Sequence, residues 1–233
     1  MSCAICEVRK EKRFCPAMHR KICPQCCGEQ REVTLDCPGD CPYLLQARSQ
    51  ARGQAADFPG WVSEIEIPDV AITEQFLYER EELIVGLSFA LAKSVRADRS
   101  AIDPTITDRS ITDRDLITAI GALAKQYEAL AKSALIYEPP TTNLVHQNIA
   151  RQVQIEVQNM IKEFRALEQQ HTGQSRLRDS DVLKALVFLL RMGLSRTSGR
   201  PKSRAFIDFL FERFPQKQSA IAGAESASRL VIP

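Results

Sequence analysis

The chain has 233 residues, 44% hydrophobic and 26% charged, a globular balance with room for one or two domains. Its net charge of +2 names no partner, and without a run of 18 apolar residues no membrane-spanning helix is expected. The N-terminus, MSCAICEVRK, lacks the apolar stretch of a signal peptide, so a cytoplasmic, reducing location is expected.

In chain order, the first 41 residues hold all eight cysteines: Cys3, Cys6, Cys15, Cys23, Cys26, Cys27, Cys37 and Cys41. This segment, 1–45, has too few large apolar residues to build a core, so metal or disulfides must replace one. In a reducing setting, clustered Cys pairs read as metal ligands rather than disulfides. Eight thiols fill two tetrahedral sites, which predicts two Zn2+ ions per chain. The spacing is Cys-x2-Cys, a single Cys15, Cys-x2-Cys-Cys and Cys-x3-Cys, and such short spacers let one turn present two sulfurs to one metal. Neighbouring side chains diverge, so Cys26 and Cys27 are expected on different metals. That predicts one site of Cys3, Cys6, Cys23 and Cys26 and another of Cys15, Cys27, Cys37 and Cys41. His19, at Cys15-x3-His19, is the rival ligand; its plain reading is a surface residue in a basic stretch. A site of four thiolates is closed and carries a charge of about −2, so catalytic zinc is not expected.

Residues 46–68 read as a linker broken by Gly53, Pro59, Gly60 and Pro68. Residues 69–215 read as a bundle of four to five helices. The first runs over about 73–97, with Phe76, Leu83, Leu87, Leu91 and Val95 on one face. Thr112 followed by Asp115 is a capping box that opens the second, with a heptad-like stripe of Leu116, Ile120, Leu123, Tyr127, Leu130 and Ala134, ended by Pro139-Pro140. A third helix starts near Thr142 or Asn143 and ends at Gly173. The fourth opens at Asp179 or Ser180 and is apolar nearly all round over 182–194, the pattern of a buried central helix. Ser203 is read as the cap of a short last helix stopped by Pro215, and 216–233 as a loose tail.

The segments CAIC, RFCPAMHRKICPQCCG and DCPGDCPYL resemble the interleaved two-zinc fingers of the HIT, MYND and B-box kind. In those fingers, pairs one and three share a metal, as do pairs two and four. The resemblance spans about 40 residues; the Cys-Cys doublet, the Cys-x3-Cys ending and the lack of a terminal histidine depart from the pattern. The whole chain also resembles uncharacterised Cys-rich bacterial proteins that join such a motif to a helical domain. These likenesses imply a small metal-built fold and a binding role, and bring no activity.

Two further signals bear on function. Residues 8–21 hold six Lys/Arg against one Glu, and 176–204 hold eight against two Asp. In the finger such charge either offsets thiolates or binds a polyanion. In the 191–204 loop, Arg191, Arg196, Arg200, Lys202 and Arg204 read as solvated cations or phosphate contacts. Glu168-x-x-His171 has di-iron spacing without the second pair such sites need, so a surface pair is expected. No nucleophile elbow, P-loop or dinucleotide fingerprint is present. The expected function is therefore a non-enzymatic zinc-finger adaptor or regulator with a protein partner. The alternative is nucleic-acid binding through the basic finger and the 191–204 loop, and the third reading is an enzyme housed in the helices.

Overall fold

A computed structural model describes residues 1–51, 61, 65–101, 111–132 and 144–215, apart from the side chains of 97–101 and 144–148. Two short strands, β1 (Arg13–Cys15) and β2 (Arg20–Ile22), form an antiparallel hairpin. Helices follow: α1 (Pro24–Gln30), α2 (Pro42–Ala51), α3 (Glu74–Glu79), α4 (Glu81–Ala101), α5 (Asp113–Ala131), α6 (Leu144–Thr172), α7 (Asp179–Arg196) and α8 (Ala205–Arg213). The fold is mainly helical, as the periodicity predicts. Among the described residues, no helix is long and apolar enough to cross a membrane.

The core lies in a four-helix ring. α4 packs against α6 and α7, and α5 packs against the same two. The stripe residues Leu116, Ile120, Leu123 and Tyr127 are buried there, while Leu130 is half exposed. In α7, Val182, Leu186, Val187, Leu189 and Leu190 are all fully buried. Gly193 lets α7 approach its neighbours, since a Cβ there would meet Ile117 and Phe206 at 3.0 Å. α8 closes one end, resting on α4, α5 and α7.

Local signals placed several boundaries. Thr73 caps α3 by accepting the Phe76 N–H at 3.1 Å. Thr112 and Asp115 form the reciprocal capping box of α5, and Gly173, at φ 76°, ends α6 with its N–H on the Gln169 carbonyl. Three readings need revision. The helix expected over 73–97 is two helices, because Arg80 leaves helical geometry (φ −118°, ψ 24°) and sends its guanidinium to Asp181 at 2.9 Å and Glu168 at 3.7 Å. α2 runs across residue 45, so part of the expected linker is helical, with Leu44 fully buried. Ser203 does not cap α8. It donates to Asp113, whose buried carboxylate also accepts the Phe206 and Ile207 N–H groups at 3.1 Å and so caps α8 from another helix. The Pro139-Pro140 stop, the start at Thr142 or Asn143, the breakers Gly53, Pro59 and Gly60, and the 216–233 tail lie outside the described residues.

Candidate metal centre

The first two cysteines sit in a tight turn. The Glu7 N–H bonds to the Cys3 carbonyl at 2.8 Å, with Glu7 itself in the left-handed region at φ 55°. The chain then runs through the hairpin and returns at Cys23, which is the N-cap of α1. Pro24 at the first turn has no N–H to satisfy, so the cap thiol is free to accept the N–H of Cys26 at 3.4 Å. Cys26 lies one turn into α1, beside Cys23.

This brings Cys3, Cys6, Cys23 and Cys26 together, with all four sulfurs within 4.8 Å of one another. A tetrahedron with metal–sulfur bonds of about 2.3 Å has sulfur–sulfur edges of about 3.8 Å, so the group needs only a slight contraction to hold a metal ion. Three of the four residues are buried and Cys6 is partly exposed. The sulfurs are also hydrogen-bonded as thiolates require. Cys3 Sγ accepts the Cys23 N–H at 3.2 Å and the Ile5 N–H at 3.4 Å, and Arg9 reaches Cys23 Sγ at 3.9 Å. Burial pushes the Cys3 thiol up, but N–H bonds from Cys6, Cys23 and Ile5 outweigh it and hold it at about 6. Burial also pushes Cys26 up, to about 12, and the adjoining sulfurs of Cys23, Cys6 and Cys3 push the same way. Four thiols this close cannot all ionise unaided; a dication supplies the missing charge.

The remaining four cysteines are arranged differently. Cys27 diverges from Cys26 and lines a small cavity with Cys15, Cys37 and Cys41, walled also by Tyr43 and Leu44. The cavity holds about 10 Å³, the space of one water-sized sphere. Burial pushes the Cys37 thiol up; the Glu32 N–H opposes this, and the nearby Cys41 and Cys15 sulfurs add to it. Among the described residues, only the first tetrad has the mutual spacing of a ready metal group. His19 is exposed, at φ 52° in the turn of the hairpin, and belongs to no such group.

The cations of the basic loop are bonded within the molecule. Arg200 donates to the Gly28 and Arg31 carbonyls at the end of α1, at 2.9 and 2.6 Å. The Lys202 N–H bonds to the Glu32 carbonyl at 2.8 Å, and its ammonium reaches Thr34 O and Asp36, both at 3.0 Å. Arg204 donates to Ile111 O, Arg191 to Val70 O, and Arg196 lies over the Phe209 ring at 3.6 Å. Glu32 sits at the centre of this joint, 3% exposed and at φ 55°. Its carboxylate accepts Arg48 of α2 at 2.9 Å and the Ser198 hydroxyl at 2.8 Å, while Arg48 also pairs with Asp208 of α8 at 2.8 Å. The joint thus ties the cysteine region to α8 and to the loop that Ser203 and Asp113 brace. Sequence reasoning found the loop's cations but not Glu32 or Arg48, since Ser198–Glu32 and Arg48–Asp208 span 160 residues or more and Glu32 itself stands at a left-handed backbone angle.

Glu168 is also occupied. Its carboxylate accepts Ser175 Oγ and the Arg176 and Leu177 N–H groups at 2.8 to 3.1 Å, holding the α6–α7 turn. His171 is exposed at the helix end. No protein-family model, curated protein or solved structure matches the chain.

Proposed function

We propose that the chain is a non-enzymatic zinc-finger protein, an adaptor or regulator whose finger is held on a helical bundle as one recognition unit. Zinc is the metal we assign to Cys3, Cys6, Cys23 and Cys26, because an all-thiolate tetrahedron suits its size and softness. Cys15, Cys27, Cys37 and Cys41 would take the second ion by drawing in around their shared cavity, giving the interleaved arrangement. Four sulfurs leave no open position for substrate or water, so the metal's task is structural.

The observation that carries the reading is the joint around Glu32. A buried carboxylate shared by Arg48 and Ser198, with Arg200 on the end of α1, fixes the finger against the bundle. Such an arrangement presents a surface in a defined orientation, which a binder needs. The finger's own cations divide accordingly. Arg9, Arg13 and Arg31 serve Cys23, the Tyr43 ring and the Tyr43 carbonyl, while Lys10, Lys12, Arg20 and Lys21 project outward.

The test is affinity capture on the zinc-loaded full chain, with and without nuclease, beside chain stripped of metal. Protein partners that survive nuclease and vanish on stripping support an adaptor. Capture that nuclease abolishes would make nucleic-acid binding the regulator's main task, and capture indifferent to metal would remove the finger from the reading.

A further inference from the structure

The hairpin of the cysteine region has an inner and an outer face. Strand alternation turns Cys15 and Ile22 into the local core and lays Arg13 over Tyr43 at 4.6 Å. It turns Lys12 and Phe14 outward, and the register pairs Phe14 with Lys21. Phe14 is 53% exposed, so its ring is open to a ligand. Lys10, Lys12, Arg20 and Lys21 are all exposed, and among the described residues none of them has a side-chain hydrogen bond or ion pair. Glu11, between two of the lysines, is the one acid of the 8–21 stretch and is only partly exposed.

This face contrasts with the basic loop of 191–204, whose cations are consumed within the molecule. Lys12 and Lys21 flank one exposed ring, and Lys10 and Arg20 lie within two residues of them along the chain; this set matches a specific chemistry. Phosphates at the spacing of a nucleic-acid backbone satisfy the cations, and an unstacked base satisfies the ring. A duplex offers phosphates but no open base face for Phe14. A peptide of acidic residues alone likewise answers the charge and leaves the ring unused. We propose that the outer face of the hairpin, Lys12, Phe14 and Lys21 with Lys10 and Arg20 at its margins, binds single-stranded nucleic acid.

Phe14 stacks on a base, and the four cations contact successive phosphates without reading sequence. The proposal rests on the metal-built finger, since that module fixes the hairpin. Zinc content measured on every sample therefore separates loss of the finger from loss of the contact.

The probe is a labelled mixed-sequence 15-nucleotide single strand, as DNA and as RNA, titrated with zinc-loaded full chain across salt. Four phosphate contacts give a slope of about −2.8 in log affinity against log salt, roughly −0.7 for each. Phe14→Ala is expected to weaken both strands by about 5- to 150-fold, the range for one lost stack, with the salt slope unchanged. Lys12→Gln with Lys21→Gln is expected to flatten the slope by about 1.4. Arg176→Gln, far from the hairpin and free of the joint, is expected to change neither. Normal zinc content with no single-strand binding at low salt would overturn the proposal. So would unchanged affinity for Phe14→Ala. Equal displacement by a poly-glutamate peptide would assign the face to an acidic protein instead.

Discussion

The cysteine region and the helical bundle are held by different physics. The bundle buries more than twenty large aliphatic and aromatic side chains, among them Leu83, Leu87, Leu91, Leu186 and Phe206, and that burial alone sustains a domain of its size. The cysteine region buries little besides sulfur. Its local core is Ile22 and Leu35 with five cysteines, so metal-binding energy must substitute for apolar area. The two meet through Glu32, Arg48, Arg200 and Lys202, a joint made almost wholly of charge-assisted hydrogen bonds. Such a joint keeps its geometry only while both sides hold theirs, so the order of the cysteine-rich half is imposed on the loop of the other.

Removing the metal breaks that comparison most sharply. Structural zinc contributes about 10–16 kcal/mol in small finger peptides, more than such a module can lose and stay folded. Chelation of the full chain is expected to unfold the hairpin and α1 while α4 to α7 keep their helicity, as followed by far-UV circular dichroism and hydrogen exchange. Loss of most helicity would mean that the bundle depends on the finger. Elemental analysis is expected to give two zinc ions, and Cys26→Ser and Cys27→Ser to lose different ones. If Cys27→Ser keeps both while His19→Ala loses one, His19 is the ligand.

The next largest effect lies wholly inside the bundle. Asp113→Ala leaves the Ser203 hydroxyl and the Phe206 and Ile207 N–H groups without their buried acceptor. Orphaned buried donors and a lost cap together cost about 2–4 kcal/mol. The denaturant midpoint is expected to fall accordingly, with zinc content intact. A change below about 0.5 kcal/mol would show that α8 is held by packing alone.

Glu32→Gln tests the joint itself and sharpens the contrast. It keeps the shape but removes the charge that Arg48 and Ser198 share, an expected loss of about 1.5–3 kcal/mol. Hydrogen exchange is expected to quicken at 31–35 and 197–203 together, with the ring of α4 to α7 unaffected. Quickening confined to 31–35 would mean that the loop does not depend on Glu32.

These three sites differ in how far the sequence could foretell them. The metal group was legible because its information is local: two short spacings, Cys3-x2-Cys6 and Cys23-x2-Cys26, each closed by one turn. The capping box at Thr112 and the buried stripe of α5 were legible for the same reason, since a helix repeats its contacts within four residues. Asp113 was not, for its partners lie about 90 residues away and Ser203 offered a closer, plausible cap. Glu32 was less legible still. A glutamate after an arginine reads as surface, and neither its left-handed backbone nor its burial has a local signature. The break at Arg80 is of this kind too, because its cause is Asp181, a hundred residues on. What sequence yields here is periodicity and spacing; charge pairing across the fold is invisible until the chain closes.

The smallest expected effect is a pH dependence at the α6–α7 turn, on the side of the bundle that owes nothing to metal. Burial by itself would raise the Glu168 carboxyl. The bonds from Ser175, Arg176 and Leu177 and the charge of Arg80 outweigh it and hold it below the usual carboxylate range. A folded value below the unfolded one, about 4.3, means that the ion's contribution is complete above that pH. It is then lost as pH falls through the folded value. Wild type is therefore expected to exceed Glu168→Gln in stability at neutral pH, with the gap closing below about pH 4. The measurement is a pair of denaturant titrations, repeated in steps from pH 7 to pH 3. Thiolates that hold a metal ion would also protonate in acid, so exchange at the Arg176 and Leu177 amides serves as the local readout. These two amides lie on the carboxylate itself. A gap that stays constant to pH 3 would mean that Glu168 acts through shape and not through charge.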